Sequence, residues 1–161
     1  GSEMCIRDRL VYNRLRKKKN KGRHKMKQNL YELTNPQKPI WLTEQYFTNT
    51  SVNTICGYTF ITDVVNLEIL RKAIYEMVKS NDGMRLKINS KNDSALQYVS
   101  DFEPFYIPTV ELSTKENIEK KALEMASTPF MQSNEFLFQF LLFKLPDETG
   151  GFIVNVHHLI R

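Results

Sequence analysis

Residues 136–145 set the terms for any fold this chain can adopt. From Phe136 to Leu145 only Gln139 and Lys144 are polar. Ten residues of that composition, closed by a turn from Pro146 to Gly151, read as a strand covered on both faces. Phe152 to His157 then returns as the next strand, antiparallel to the first. It delivers His157 and His158 to its C-terminal end. Such a pair of strands needs helices around it, and the upstream sequence offers them.

Leu33 to Phe47 reads as a helix, with Ile40, Trp41, Glu44, Gln45 and Phe47 at helical spacing. Thr34 and Asn35 are candidate N-caps, and Pro39 sets the start of regular helix close to itself. Asn53 to Asp63 is rich in β-branched and aromatic residues and reads as a strand, with Gly57 marking a bulge or a close backbone approach. Asn66 caps a helix running to Ser80, whose apolar stripe is Leu67, Leu70, Ile74, Met77 and Val78. Asn81, Asp82 and Gly83 end it. Met84 to Asn89 is expected as a strand, with Met84, Leu86 and Ile88 on one face and Arg85 and Lys87 on the other. Ser90 to Ser94 is a polar turn, Ala95 to Val99 a second short strand, and Phe102 to Val110 an extended, proline-interrupted segment. Ser113, Thr114, Lys115 and Glu116 match a capping box for a helix through Ile118, Ala122, Met125 and Ala126 that stops before Pro129. The order helix, strand, helix, strand, strand, helix, strand, strand predicts an α+β fold with helices packed on a largely antiparallel sheet.

Charge separates the first residues from this pattern. The net charge is +5, yet residues 1–25 hold ten Lys/Arg against two acids, and residues 26–161 hold thirteen against sixteen. A basic run without apolar content repels itself and buries nothing. Residues 1–25 are therefore expected to be a disordered, non-native basic leader, with Met26 a candidate start and residues 26–161 the folded unit. No aromatic residues interleave with the basic run, so a nucleic-acid partner is not expected. No apolar run approaches the roughly 18 residues that a membrane span needs, and no membrane partner is expected. The two cysteines, Cys5 and Cys56, form no Cys-x-x-Cys pair, which excludes a disulfide framework or a cysteine-rich zinc site and fits a cytoplasmic setting.

Two of the three histidines, His157 and His158, lie in one strand end, with His24 in the leader. Neighbours on a strand point to opposite faces. Parity places His157 with Ile153 and Asn155 on the more polar side, and His158 with Val154 and Val156, although His158 lies where strand gives way to loop. Histidine, with an ordinary pKa of about 6.5, is mostly neutral near neutrality and can accept a proton there. The pair reads as structural histidines, as a general base or substrate-positioning group, or as metal ligands. No acidic or cysteine partner sits at ligand spacing nearby. There is no glycine-rich phosphate loop and no Gly-x-Ser-x-Gly turn.

Val156 to Arg161 resembles the start of the His-His-x-x-x-Asp-Gly motif of condensation domains from nonribosomal peptide synthetases, within the chloramphenicol acetyltransferase-like superfamily. Leu33 to Gln45 resembles the first core motif of those domains, with a Leu-Thr-x-x-Gln opening that ends on Gln37 and a Trp-Leu-x-Glu-Gln close that contains Glu44. Lys79 to Ile88 is similar to the second, Arg-His-Glu-x-Leu-Arg-Thr-x-Phe. There Asn81 and Asp82 replace His-Glu, Gly83 stands at the variable position, and Met84 replaces Leu before a retained Arg85. Pro129, Phe130 and the apolar strand match the run-up to the histidines. The resemblance covers about residues 30–161 in the expected order.

It implies amide formation between aminoacyl or peptidyl thioesters carried on phosphopantetheine arms of carrier proteins. No cofactor bound by this lobe itself is implied. His158 corresponds to the second motif histidine, beside the attacking amine, and His157 to its supporting neighbour. Arg85 inherits the structural role of pairing with the motif Asp, which lies beyond Arg161. The family has two similar lobes with the active site between them. Residues 26–161 are expected to be the N-terminal lobe, truncated within the histidine motif, with the C-terminal lobe and peptidyl or acyl carrier domains as partners. The chain alone is expected to be inactive. A lobe of a stand-alone coenzyme A-dependent acyltransferase and a non-catalytic carrier-docking lobe are the alternatives.

Overall fold

The computed structural model describes residues 29–91, 94–130 and 133–160. The basic leader and Arg161 lie outside the described residues, as does the tip of the turn expected between Ser90 and Ser94. The chain is α+β, with two sheets and three α-helices among the described residues. In order these are β1 (Tyr31–Glu32), α1 (Gln37–Tyr46), β2 (Thr54–Ile61), α2 (Leu67–Ser80), β3 (Leu86–Lys91), β4 (Ser94–Val99), β5 (Thr109–Glu111), α3 (Glu116–Ala126), β6 (Phe138–Lys144) and β7 (Gly150–His157). Two 3-10 turns, Gly83–Arg85 and His158–Ile160, follow α2 and β7.

The larger sheet has the order β2-β7-β6-β5. Its central strands are the two apolar ones, paired antiparallel with Phe138 opposite Val156 and Leu141 opposite Ile153. β2 adds antiparallel to β7, and β5 adds parallel to β6. Both faces are covered, as the composition of β6 requires. On one, Ile74 and Val78 of α2 pack with Phe105, Ile107, Phe138, Phe140 and Leu142. On the other, Ile118 of α3 packs with Leu141, Phe143, Leu145 and Ile153. Alternation along β6 thus feeds two cores. Each such side chain contributes roughly 1.5–3 kcal/mol when fully removed from water.

The smaller sheet, β1-β4-β3, meets the larger one through a third cluster of Leu33, Trp41, Ile88, Leu137 and Leu159. Leu159 belongs to the turn that follows β7, so α1 and the smaller sheet hold the end of the histidine strand in place. The bridge between Ile88 and Ser133 and the bond from the Asn134 N–H to the Ile88 carbonyl (2.7 Å) tie β3 to the chain entering β6.

Several local expectations change. α1 begins at Gln37, and neither Thr34 nor Asn35 caps it with a side chain. The Gln37 side-chain oxygen instead accepts from the Thr34 N–H (2.8 Å) and the Thr34 hydroxyl (2.9 Å). This closes the first turn from inside the helix. Asn66 does cap α2, accepting from the amides of Glu68 and Ile69. The capping box before α3 does not form, because Lys115 occupies the cap position without a side-chain bond. Met84 and Arg85 lie in a 3-10 turn, and β3 starts only at Leu86. Lys87 is buried, with Nζ 3.5 Å from Glu103 and 4.3 Å from the Phe136 ring centroid. The face expected to be polar is covered by the segment after β4.

Glycine use also differs from expectation. Gly57 pairs regularly with Val154, and nothing lies within 4 Å of where its Cβ would be. The close approach occurs at Gly151, where a Cβ would sit 1.9 Å from the Thr59 carbonyl oxygen and 3.0 Å from the Phe143 ring. Backbone cannot yield there without parting β2 from β7. Gly151→Ala is expected to cost about 2–3 kcal/mol as an overpacked site, lowering the thermal midpoint by about 5–10 °C. Gly57→Ala should leave the midpoint unchanged or raise it. Equal effects in a thermal melt would refute this placement of the close contact.

Candidate active site

The two histidines end in different environments because β7 stops between them. His157 is the last strand residue, paired with Thr54 of β2. His158 opens the 3-10 turn. Strand parity therefore applies to His157 and no longer to His158.

His157 is 2% exposed, and both of its ring nitrogens are engaged. Nδ1 accepts from the Leu159 N–H at 3.2 Å. A backbone amide can only donate, so the proton of the neutral ring sits on Nε2. Nε2 lies 3.1 Å from Glu44 Oε1 and donates to it. Phe130 meets the ring edge-on, with centroids 6.0 Å apart. The same Glu44 oxygen accepts from the Asn53 side-chain amide at 2.8 Å. The Asn53 carbonyl in turn accepts the His158 N–H at 2.9 Å.

Burial pushes the His157 imidazole below its ordinary value. The hydrogen bond and charge of Glu44 pull the other way, and the neighbouring His158 adds to the lowering. Protonation would also place a second N–H on Nδ1, directly against the Leu159 amide.

His158 is half-buried, and its ring has no hydrogen-bond partner among the described residues. Both ring nitrogens of His157, by contrast, are committed.

Arg85 sits in the turn after α2, its side chain largely buried and paired with the exposed Asp82. Its Nε is buried without a hydrogen-bond partner among the described residues. The Arg85 carbonyl accepts from both the N–H and the hydroxyl of Ser100, each at 3.0 Å. The two 3-10 turns lie side by side. A Cβ built on Gly83 would be 3.8 Å from the Ile160 carbonyl oxygen, and Met84 and Ile160 pack on the same cluster. No hydrogen bond joins Arg85 to either histidine among the described residues.

The sequence reading places Gln37 and Glu44 in the first motif without a role at the histidines, and it misses Asn53. The Gln37 side-chain amide donates to the Leu159 carbonyl and to Gln97 Oε1, both at 2.8 Å. Gln37, Trp41 and Glu44 are the three buried residues of α1. Their i, i+4, i+7 spacing is a core stripe, and two polar members on such a stripe were the available signal. Among the described residues no three His, Cys, Asp or Glu side chains group as a metal ion would need, and no helix is long and apolar enough to cross a membrane.

Comparison with known proteins gives this geometry a family. The Condensation domain pattern matches residues 27–161. The chain belongs to the condensation-domain family. It is 31% identical over 137 residues to surfactin synthase subunit 1 of Bacillus subtilis (strain 168), covering 81% of this chain and 4% of that protein. It is 24% identical over 138 residues to a plipastatin synthase of the same organism, covering 84% of this chain and 5% of the relative. Among solved structures, the starter condensation domain of rhizomide synthetase RzmA superposes with a TM-score of 0.69 at 21% identity, over 81% of this chain and 33% of that one. The condensation domain of the monacolin K polyketide synthase MokA gives 0.70 at 14% identity, over 80% and 30%. The chain thus spans about one-third of a solved condensation domain, consistent with one lobe, and a small fraction of the synthetases it matches.

The neutral, buried state of His157 makes a pH prediction. Between its lowered native value and the ordinary 6.5 or so of an unfolded histidine, the unfolded chain binds more protons than the native one. Stability therefore rises with pH across that window and is lost as pH falls through it. Urea unfolding from about pH 7.5 to about pH 5 should show this loss, and His157→Gln should flatten it. An unchanged slope in the variant would contradict the buried neutral ring.

Proposed function

We propose that this chain is the first lobe of a two-lobed condensation domain and that His158 serves amide bond formation between carrier-bound thioesters. The observation that supports it most directly is the division of labour at the strand end. Both nitrogens of His157 are occupied, while the His158 ring, carried on a tight turn, has no hydrogen-bond partner among the described residues. The family match over residues 27–161 supplies the reaction class.

In that reaction the amine of one aminoacyl thioester attacks the carbonyl carbon of another. The C–N bond forms, the C–S bond breaks, and the proton lost by the amine ends on the departing sulfur. A neutral His158 can hold the amine N–H so that its lone pair faces the carbonyl. It can also take up the proton as positive charge builds on nitrogen and return it to the leaving thiolate. The substrates arrive on phosphopantetheine arms of carrier domains, and the second lobe completes the cleft. Arg85, whose Nε is buried without a partner among the described residues and whose turn lies against Ile160, would anchor the loop that follows His158. Its natural partner is a carboxylate, which a planar guanidinium engages with two parallel bonds.

In the complete protein, His158→Ala should lower amide formation with loaded carrier proteins by about 100-fold or more, the range of a lost acid–base or positioning group. Parental turnover would sink the assignment. Arg85→Ala should lower soluble yield and the thermal midpoint, and Arg85→Lys should not restore them, because an ammonium lacks the fork. Parental behaviour of Arg85→Ala in yield, melting and turnover would remove its anchoring role.

A further inference from the structure

The His158 backbone is held at two consecutive amides, and both holds lead to one atom. The His158 N–H donates to the Asn53 carbonyl, and the Asn53 side chain donates to Glu44 Oε1. The Leu159 N–H donates to His157 Nδ1, and His157 Nε2 donates to the same Glu44 Oε1. Glu44 is 6% exposed and sits on the buried stripe of α1, where Trp41 fixes the helix against Leu159 and Ile88. Water does not readily substitute for an acceptor placed so deeply.

We infer that Glu44 is a positioning residue for His158, acting through His157 and Asn53 to fix the turn that presents the working imidazole. The inference rests on the functional reading given above. Without an acceptor at this place, the His157 proton is buried unsatisfied on Nε2, or it moves to Nδ1. On Nδ1 it opposes the Leu159 N–H and opens the turn. Either outcome displaces His158, and a displacement of about 1 Å can cost on the order of 100-fold in rate. The role needs an oxygen acceptor of this reach and no more, so glutamine at position 44 satisfies it while an equally long apolar side chain does not.

The test is steady-state kinetics of the complete protein with loaded carrier proteins, scaled to folded protein. Glu44→Gln is expected to retain kcat within about threefold. Glu44→Met is expected to lose about 30-fold or more in kcat, with KM for the loaded carriers held within about twofold. Glu44→Met combined with His157→Ala should be no worse than the poorer single variant, because the two act in one path. Parental kcat in Glu44→Met, equal loss in Glu44→Gln, or multiplicative losses in the double variant each overturn the inference. If Glu44→Met does not fold, Asn53→Ala in the part-exposed loop before β2 decides. A kcat about three- to tenfold lower supports the path, and a parental one overturns it. His158→Ala in the same assay separates the two levels. If it is fully active, the functional reading fails and the path with it. If it is inactive while Glu44→Met is parental, the path alone fails.

Discussion

The pairing of β6 with β7 in the middle of a sheet covered on both sides is the constraint on which everything else depends. β6 alternates between two cores, with Phe138, Phe140 and Leu142 toward α2 and Leu141 and Phe143 toward α3. A one-residue slip would send each set to the wrong helix. Gly151 locks the register from the other strand, since only a glycine clears the Thr59 carbonyl where it faces Phe60. A rigid, two-sided central pair makes the C-terminal end of β7 a fixed point. The chain can turn sharply there and present a side chain without that side chain contributing to the core.

What the turn presents is decided by polar contacts in a dry place. Glu44 reaches His157, and Gln37 reaches the Leu159 carbonyl, so two bonds cross from α1 to the strand end between residues far apart in sequence. Asn53 joins the same set through Glu44. Buried polar groups cost stability unless satisfied, and a satisfied set specifies one arrangement over its competitors. The apolar cluster around Trp41 and Leu159 supplies adhesion. The polar set supplies orientation. The two histidines, adjacent and chemically identical, differ because one is enclosed by this set and the other emerges from it.

Much of this is legible in sequence, and the gaps have physical causes. The central strands, the α2 stripe at Leu67, Leu70, Ile74 and Val78 with its Asn66 cap, and the coverage of both faces follow from local periodicity, whereas Met77, expected on the same stripe, is exposed and Tyr75 packs on the core instead. The motif resemblance places Arg85, His157 and His158 on the path of interest. The 3-10 turn at Gly83–Arg85 reads as strand because alternation of Met84, Leu86 and Ile88 satisfies a period of two whether or not the first residue is extended. Gly57 and Gly151 are equivalent in sequence, and only the strand pairing shows which one has backbone against it. Lys87 reads as solvent-facing because charge usually is, whereas Glu103 and Phe136 arrive from distant segments to cover it. Glu44 reads as a helical glutamate within a motif, and nothing local links it to His157, 113 positions away.

The placement of Arg85 shows how a helix terminus and a strand terminus become one neighbourhood without a direct bond. α2 ends at Ser80, and the turn at Gly83 lies near Ile160 while Met84 packs on the same core as Ile160. The guanidinium is thereby carried under the surface with its Nε unpaired among the described residues, a costly arrangement for a cation whose described ion-pair partner, Asp82, is exposed. An exposed carboxylate offers little net stabilisation in return. Asp82 therefore does not account for the burial of this guanidinium. The turn that carries His158 runs to Ile160, which lies against the turn that carries Arg85, so the end of β7 and the end of α2 are held in one packed neighbourhood although no hydrogen bond joins Arg85 to either histidine among the described residues.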